Sequence, residues 1–178
     1  MQLKQLITTA AIISGIFFSD NWKADSAKTS IGFSVKGPFG TVHGNFSGLK
    51  ASIHFDEKNL SSSSFTASIE SKTVSTGVGL RNKDLRNKEM WFNSDKYPTI
   101  SFRSKKIEKT ANGFIALGDL TIKATTKEIK IPFTFLPKGN SGDFKGMFHI
   151  NREDYKLGNK GGSVDNDISI TLQVPVSK

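Results

Sequence analysis

The 178-residue sequence predicts an all-β protein, an antiparallel β-barrel of about eight strands with a short helical insertion near residues 79–97. Three observations predict this fold class. Apolar and polar residues alternate along most of the chain, turn motifs separate the alternating runs, and the segment from residue 79 to residue 97 breaks the alternation. Alternation is typical of strands that bury one face, because successive side chains point to opposite faces of a sheet.

The alternating runs start at residue 31 and continue almost to the end of the chain. Their apolar members are Ile31/Phe33/Val35, Leu49/Ala51/Ile53/Phe55, Phe65/Ala67/Ile69, Ile100/Phe102, Phe114/Ala116/Leu120/Ile122, Ile129/Ile131/Phe133/Phe135, Phe144/Phe148/Ile150 and Ile168/Ile170/Leu172/Val174/Val176. Turn chemistry separates them at residues 37–38, 56–59, 111–113, 138–140 and 158–162. Strands with one apolar face each must close on themselves or stack as a sandwich.

Residues 79–97 contain Leu80, Leu85, Met90, Trp91 and Phe92 among charged and amide side chains. The pattern predicts one or two short helical turns that end before Pro98, because a proline disfavours the helical conformation of the residue preceding it. We expect such an insertion to cover the mouth of a barrel, and a loop that plugs the core is the alternative.

The first 19 residues resemble an export signal. Lys4 is their only charged residue, and the uncharged, mostly apolar run over residues 5–19 follows it. A basic start before roughly 7–15 apolar residues is typical of a signal peptide, and a membrane-spanning helix needs about 20. We therefore expect a signal peptide over residues 1–19, a single domain over residues 20–178, and export from the cytoplasm. An uncleaved anchor or a buried helix is the alternative.

The composition favours a large apolar interior. The chain has 14 Phe against 2 Trp and 2 Tyr, and Phe supplies buried area without needing a hydrogen-bond partner. The absence of cysteine excludes disulfides, thiol nucleophiles and thiolate metal sites. The formal net charge is +9, but the lysines are scattered along expected strand exteriors. We interpret them as a solvated surface and expect no nucleic-acid partner.

No convergent catalytic or metal-binding pattern is visible. His43, His54 and His149 are too far apart in the sequence to preorganise a metal site. Residues 77–79 begin like a phosphate-binding loop but lack its remaining glycine and the following helix of a βαβ unit. We therefore predict no catalytic residues, no metal and no cofactor, and we expect a binding protein rather than an enzyme.

Six segments, in order, resemble the YceI family of bacterial proteins, and together they cover roughly residues 22–176. They are residues 22–36, 42–48, 81–92, 96–102, 118–123 and 151–170; residues 96–102 read Lys-Tyr-Pro-Thr-Ile-Ser-Phe, similar to the family's K-Y-P-x-I-x-F, and residues 118–122 read Gly-Asp-Leu-Thr-Ile, similar to its G-x-L-T-I. Two histidines of the family pattern are missing, one at Gly37-Pro38 and one beside Asp84-Leu85. These departures concern polar head-group contacts and leave the apolar positions unchanged.

The resemblance implies a periplasmic, lipocalin-like barrel whose elongated apolar cavity binds a polyisoprenoid, an isoprenoid quinone or a fatty-acid-derived chain, for carriage or storage. We expect the cavity wall to include Phe33, Val35, Phe46, Ile53, Phe55, Ile69, Leu80, Leu85, Met90, Trp91, Phe92, Phe102 and Leu120, with Arg81 and Arg86 as head-group contacts. Small inward residues, namely Ala51, Ala67, Ala116 and Gly118, are expected to leave room for the ligand.

Alternatives to the carrier remain open at this point. One is a filled barrel with a structural or interaction role, whose basic surface meets an anionic partner. Another is a hydrolase or isomerase acting on a bound lipid, which needs a polar cluster inside the barrel that the pattern lacks. Transient contact with a membrane surface and formation of a homodimer are also left open.

Overall fold

The computed structural model describes residues 21–178, so the signal peptide expected over residues 1–19 lies outside the described residues. Within this range the chain forms ten strands, one α-helix and three short 3₁₀ helices. The strands are β1 (Asn21–Ala24), β2 (Ser30–Gly37), β3 (Gly40–Phe46), β4 (Lys50–His54), β5 (Ser64–Glu70), β6 (Thr99–Thr110), β7 (Gly113–Ile122), β8 (Thr125–Lys138), β9 (Ser141–Asn151) and β10 (Asp167–Ser177). The helix α1 spans Gly79–Asn87, and the 3₁₀ helices span Leu60–Ser62, Ser71–Thr73 and Arg152–Tyr155.

The strands form one closed antiparallel sheet. From β4 to β10 each strand pairs with its neighbour in sequence, and β1 closes the barrel by pairing with both β10 and β4. β1 and β2 both pair with β10 and lie end to end along it. β4 pairs with β1 and β3 pairs with β2, so β3 and β4 lie end to end in the next position of the barrel. Ten strands therefore occupy eight positions around the barrel, and the predicted antiparallel barrel of about eight strands is confirmed.

The sheet opens at one place, at the end of the barrel where α1 lies; this end is called the top. β4 pairs with β5, but the preceding β3 pairs with β2, and its backbone meets the segment after β5 at a bridge between Asn45 and Ser75. The insertion between β5 and β6 fills this opening and contains α1, as the sequence predicts. Arg86 Nη2 donates a hydrogen bond to the Val74 carbonyl at 2.7 Å, and the Phe92 ring packs edge-on against Phe46 at 5.5 Å.

The opposite end of the barrel is closed by an aromatic cluster. Its centre is Phe55, which is 1% exposed, and five phenylalanine rings lie 5.1–5.8 Å from its ring centroid: Phe65, Phe114, Phe133, Phe135 and Phe144. Trp22 Nε1 donates a hydrogen bond to the Phe55 carbonyl at 3.0 Å. Edge-to-face packing of this kind adds to the stabilisation from apolar burial, so the aromatic cluster stabilises this end of the barrel.

Candidate ligand-binding site

A cavity of about 660 Å³ occupies the barrel above the aromatic cluster. Its wall is built from the inward side chains of most strands, together with the insertion and the β2–β3 hairpin. Because each strand alternates, the apolar residues of one face converge on this space while their polar neighbours face solvent. The result is a largely apolar chamber with a few polar side chains in its wall, four of which belong to the insertion or the β9–β10 connection: Thr76, Arg81, Asp84 and Arg152.

Small side chains keep part of the barrel hollow. Ala51 on β4 pairs directly with Ala67 on β5, and both line the cavity, as does Ala116 on β7. An alanine at these positions leaves the space that a larger residue would fill.

The expectation that Gly118 leaves room for a ligand is wrong. A Cβ atom at Gly118 would lie 2.7 Å from the Ser104 Cα atom and 2.8 Å from the Phe102 Cζ atom. The space beside Gly118 is therefore occupied by the Phe102 ring and by the bulged backbone of β6, where the register with β7 shifts between Ser104 and Lys106. Glycine is required here for close approach of the neighbouring strand.

Most of the wall residues expected from the sequence meet around the cavity. Those that line it are Phe33, Val35, Phe46, Ile53, Ile69, Leu85, Trp91, Phe92, Phe102 and Leu120, together with Arg81. They come from β2 to β7 and from the insertion, so the fold brings together side chains that are up to 87 positions apart in the sequence, from Phe33 to Leu120.

Four expected residues lie elsewhere. Phe55 belongs to the aromatic cluster beneath the cavity. Leu80 is 74% exposed at the start of α1. Met90 and Arg86 are not part of the cavity wall; the Met90 carbonyl accepts a hydrogen bond from the Gly158 N–H, and Arg86 is held by the Val74 carbonyl. Leu80 and Arg86 lie on α1 directly beside Arg81 and Leu85, which do line the cavity. Side chains at neighbouring helical positions point in different directions, so Leu80 and Arg86 face away from the cavity.

One cation of α1 borders the cavity without a partner among the described residues. Arg81 and Asp84 both line the cavity, but Asp84 Oδ2 already accepts a hydrogen bond from Lys88 Nζ at 2.7 Å. No hydrogen bond or ion pair joins the Arg81 guanidinium to any residue in the 21–178 range. Arg81 is therefore the charged group of α1 that is available to a ligand.

Sequence reasoning missed Arg152, which lies in the last of the six family-like segments but is not among the expected site residues. Arg152 is 1% exposed and borders the cavity, and its guanidinium donates hydrogen bonds to four backbone carbonyls of the β9–β10 connection: Leu157 (2.7 Å), Val164 (2.9 Å), Asn159 (3.1 Å) and Asp165 (3.1 Å). A planar guanidinium with five donors suits such a fan of acceptors. The available signal was an arginine six positions before Gly158, which begins the glycine-rich run over residues 158–162.

The connection held by Arg152 is tied to the insertion across the top of the barrel. Lys123, in the β7–β8 turn, donates from Nζ to the carbonyls of Glu89 at 2.6 Å and Lys156 at 3.1 Å. The Gly158 N–H donates to the Met90 carbonyl at 2.6 Å. Partial burial lowers the pKa of the Lys123 ammonium. These contacts cover one side of the barrel top and leave the approach to the cavity beside the β2–β3 hairpin.

The buried Tyr155 provides a pH-dependent test of this end of the barrel. Tyr155 is 1% exposed and its hydroxyl has no hydrogen-bond partner among the described residues. Burial, with a smaller contribution from Asp154, raises the pKa of Tyr155 to about 12. Between the unfolded-chain value of about 10 and this value, the unfolded chain loses the proton that the folded chain keeps. Stability therefore falls as the pH rises through this window.

We expect Tyr155→Phe to leave the free energy of unfolding at neutral pH unchanged or to raise it by up to about 1 kcal/mol, because no hydrogen bond to the protein is lost. Above pH 10 the variant should lose less stability than the wild type. Urea titrations at neutral and alkaline pH measure both effects. A loss of stability at neutral pH, or parallel alkaline losses in the two proteins, would contradict this interpretation.

Residues 21–178 contain neither a candidate metal site nor a candidate membrane-spanning helix. No cluster of three or more His, Asp or Glu side chains is placed to hold a metal ion. In the same range no helix is both long enough and apolar enough to cross a membrane.

Comparison with known proteins agrees with the barrel. A family model described as YceI-like domain matches residues 22–176. A UPF0312 protein of Yersinia enterocolitica is 28% identical over 139 residues, which cover 75% of this chain and 72% of the relative.

Two solved structures share the fold. BcnA of Burkholderia cenocepacia superposes with a TM-score of 0.82 at 24% identity, covering 88% of this chain and 100% of that chain. A polyisoprenoid binding domain from Saccharophagus degradans, implicated in plant cell wall breakdown, superposes with a TM-score of 0.64 at 13% identity, covering 88% and 97% of the two chains.

Proposed function

Because the chain belongs to the YceI family, we propose that it is an exported binding protein that holds one long apolar ligand in the barrel, for carriage or storage in the periplasm. The ligand is a polyisoprenoid, an isoprenoid quinone or a fatty-acid-derived chain. A fold neighbour described as a polyisoprenoid binding domain supports this ligand class. The proposal includes Arg81 as the contact for a polar or anionic head group at the mouth.

The observation that carries the proposal is the cavity of about 660 Å³ with an almost entirely apolar wall. Burying roughly 300 Å² of apolar ligand surface contributes about 7.5 kcal/mol at ~25 cal/mol per Å². This contribution needs no polar contacts, it offsets the lower part of the association cost of about 4–15 kcal/mol, and it grows with the length of the buried chain. A chamber of this size favours a carrier over a filled barrel, and its apolar wall favours binding over catalysis.

The proposal is tested by purifying the protein under native conditions and analysing it by mass spectrometry, with and without organic extraction. We expect a long-chain apolar molecule in the extract, in a ratio approaching one per chain. The mass of the intact protein reports export, since removal of a signal peptide shortens the chain by about the 19 residues 1–19. A protein that carries no such molecule, and that takes up neither a prenyl nor an acyl probe afterwards, would refute the function.

Filling the cavity should block binding. Ala67 lines the chamber next to Ala51, its partner on the neighbouring strand. Ala67→Phe therefore places a ring where the ligand chain lies. We expect affinity for a fluorescent prenyl or acyl probe to fall at least tenfold, with a stability change of about 1–2 kcal/mol or less because the ring enters existing space. Fluorescence titration measures the affinity.

The matched control is Thr134→Phe, which adds the same ring on the outward, exposed face of β8. We expect its probe affinity to equal that of the wild type. Equal affinity in the Ala67→Phe variant would mean that the ligand does not occupy this chamber.

A further inference from the structure

Three apolar side chains are exposed beside the cavity mouth. Phe39, at the tip of the β2–β3 hairpin, is fully exposed, while Leu80 and Val78, at the start of α1, are 74% and 45% exposed. We call these three residues the rim patch. A phenylalanine and a leucine left in water contribute no hydrophobic stabilisation to the folded chain, and exposed apolar side chains grouped at one rim are typical of a binding surface.

The two parts of the rim patch lie on opposite sides of the same opening. Phe39 borders the cavity from the hairpin and Arg81, the residue after Leu80, borders it from α1. The end of β2 that leads into the hairpin is tied to the β9–β10 connection, because the Asp165 N–H donates to the Lys36 carbonyl at 2.8 Å. A surface that covers the rim patch therefore also faces the route into the chamber.

Cations surround the rim patch. Lys36 precedes the hairpin tip, and Arg81 and Lys83 follow Leu80 on the exposed side of α1. The whole chain carries a formal net charge of +9. Apolar side chains bordered by lysine and arginine match the two parts of an anionic lipid surface, since the apolar groups enter the acyl boundary and the cations meet the phosphates.

We propose that the rim patch docks this protein onto an anionic membrane surface, with the cavity mouth facing the bilayer, so that a lipid passes between membrane and barrel without crossing water. This inference rests on the proposed function, because it names the surface from which the ligand is exchanged. Because Lys36, Arg81 and Lys83 border the rim patch, an anionic lipid surface matches its charge, whereas an uncharged apolar partner does not.

The chain offers an internal control. Leu136 and Met147 are also exposed apolar residues, but they lie on β8 and β9 and neither lines the cavity. Leu136 neighbours Phe135 of the aromatic cluster, at the closed end. Removing them also reduces the exposed apolar surface, by a smaller amount, without altering the mouth.

The experiment is co-sedimentation of the full chain with vesicles of phosphatidylethanolamine and phosphatidylglycerol in equal parts, and with vesicles of phosphatidylcholine alone. We expect binding to the anionic vesicles that weakens with added salt. Phe39→Ser combined with Leu80→Ser should lower the partition coefficient at least tenfold. Arg81→Gln combined with Lys83→Gln should lower it by roughly a further order of magnitude at low salt. Leu136→Ser combined with Met147→Ser should leave it unchanged.

Absence of wild-type binding, equal binding by the Phe39/Leu80 variant, or an equal loss in the Leu136/Met147 variant would each overturn the docking proposal. So would a stable dimer that the Phe39/Leu80 substitutions dissociate, because the patch would then belong to a second copy of the chain. Circular dichroism checks that each variant is folded. Native extraction of the Phe39/Leu80 variant separates the two proposals, since this variant retains the proposed function if it still carries its ligand after losing vesicle binding.

Discussion

Replacement of Arg152 with methionine is expected to lower the free energy of unfolding by about 3 kcal/mol. The guanidinium donates to four backbone carbonyls between Leu157 and Asp165, and it is 1% exposed. Methionine keeps much of the packing but supplies no donor, so the buried Leu157 carbonyl loses its partner while the more exposed carbonyls turn to water. Urea unfolding measures the loss.

The loss of stability in Arg152→Met should appear first as local opening of the β9–β10 connection, before the whole barrel unfolds. Hydrogen exchange of the backbone amides in residues 156–166 is expected to accelerate in Arg152→Met more than exchange in β6 or β7. Arg152→Lys keeps a charge but lacks the planar fork, so it should fall between the methionine variant and the wild type. Arg103→Met is the matched control, because Arg103 lies on an exposed position of β6; we expect a change within about 0.5 kcal/mol. Similar losses at both sites would contradict the role of Arg152.

Phe55→Ala is expected to have the largest effect on stability, about 4 kcal/mol. The ring is surrounded by five others at 5.1–5.8 Å. Its removal leaves a cavity that the flanking strands cannot close, since the barrel fixes their separation. Thermal and urea unfolding measure the change, and Phe55→Leu should cost roughly half as much.

Phe39→Ala provides the control for this prediction. It removes the same ring from a fully exposed position, so we expect a change within about 0.5 kcal/mol. A loss below about 1.5 kcal/mol in Phe55→Ala would show that the aromatic cluster collapses into the vacated space, and that the closed end is less rigid than the packing indicates. Probe affinity should survive in Phe55→Ala at temperatures where it remains folded, because Phe55 does not line the cavity.

The inward positions of regular strands were predictable from local sequence. Phe33, Ile53 and Phe102 are apolar residues in alternating runs, and the pleat of a strand places every second side chain on one face. Once the strands are regular and antiparallel, this local rule assigns each residue to the interior or to solvent without information about its partners. The residues of the chamber wall were therefore accessible from the sequence.

The depth of each residue along the barrel axis was not predictable in this way. Phe55 and Phe33 have the same inward direction, yet one belongs to the closed end and the other to the chamber wall. Their difference depends on register, for example on Ile53 pairing with Phe65 and Phe33 pairing with Gly44. Gly118 was misjudged for the same reason, because the bulge in β6 brings Phe102 and Ser104 against it.

The remaining differences between the expectations from sequence and the structure lie in the insertion and in the β9–β10 connection. Arg86 and Arg81 have the same chemistry and lie five positions apart on α1, but Arg86 meets the Val74 carbonyl while Arg81 faces the cavity. Arg152 acquires its role only when residues 157–165 fold around it. Irregular backbone has no repeating rule that tells which carbonyl will need a donor.

Local sequence patterns were sufficient to predict the all-β class, the antiparallel barrel of about eight strands, the helical insertion and which strand faces are apolar, because period-two alternation and turn chemistry act over a few residues. The folded structure was needed to show that the barrel is hollow above Phe55 and closed below it, that Arg152 holds the β9–β10 connection, and that Phe39 and Leu80 lie on opposite sides of one mouth. Each of these depends on register and on contacts between residues distant in the chain, and short-range patterns carry no information about such distances.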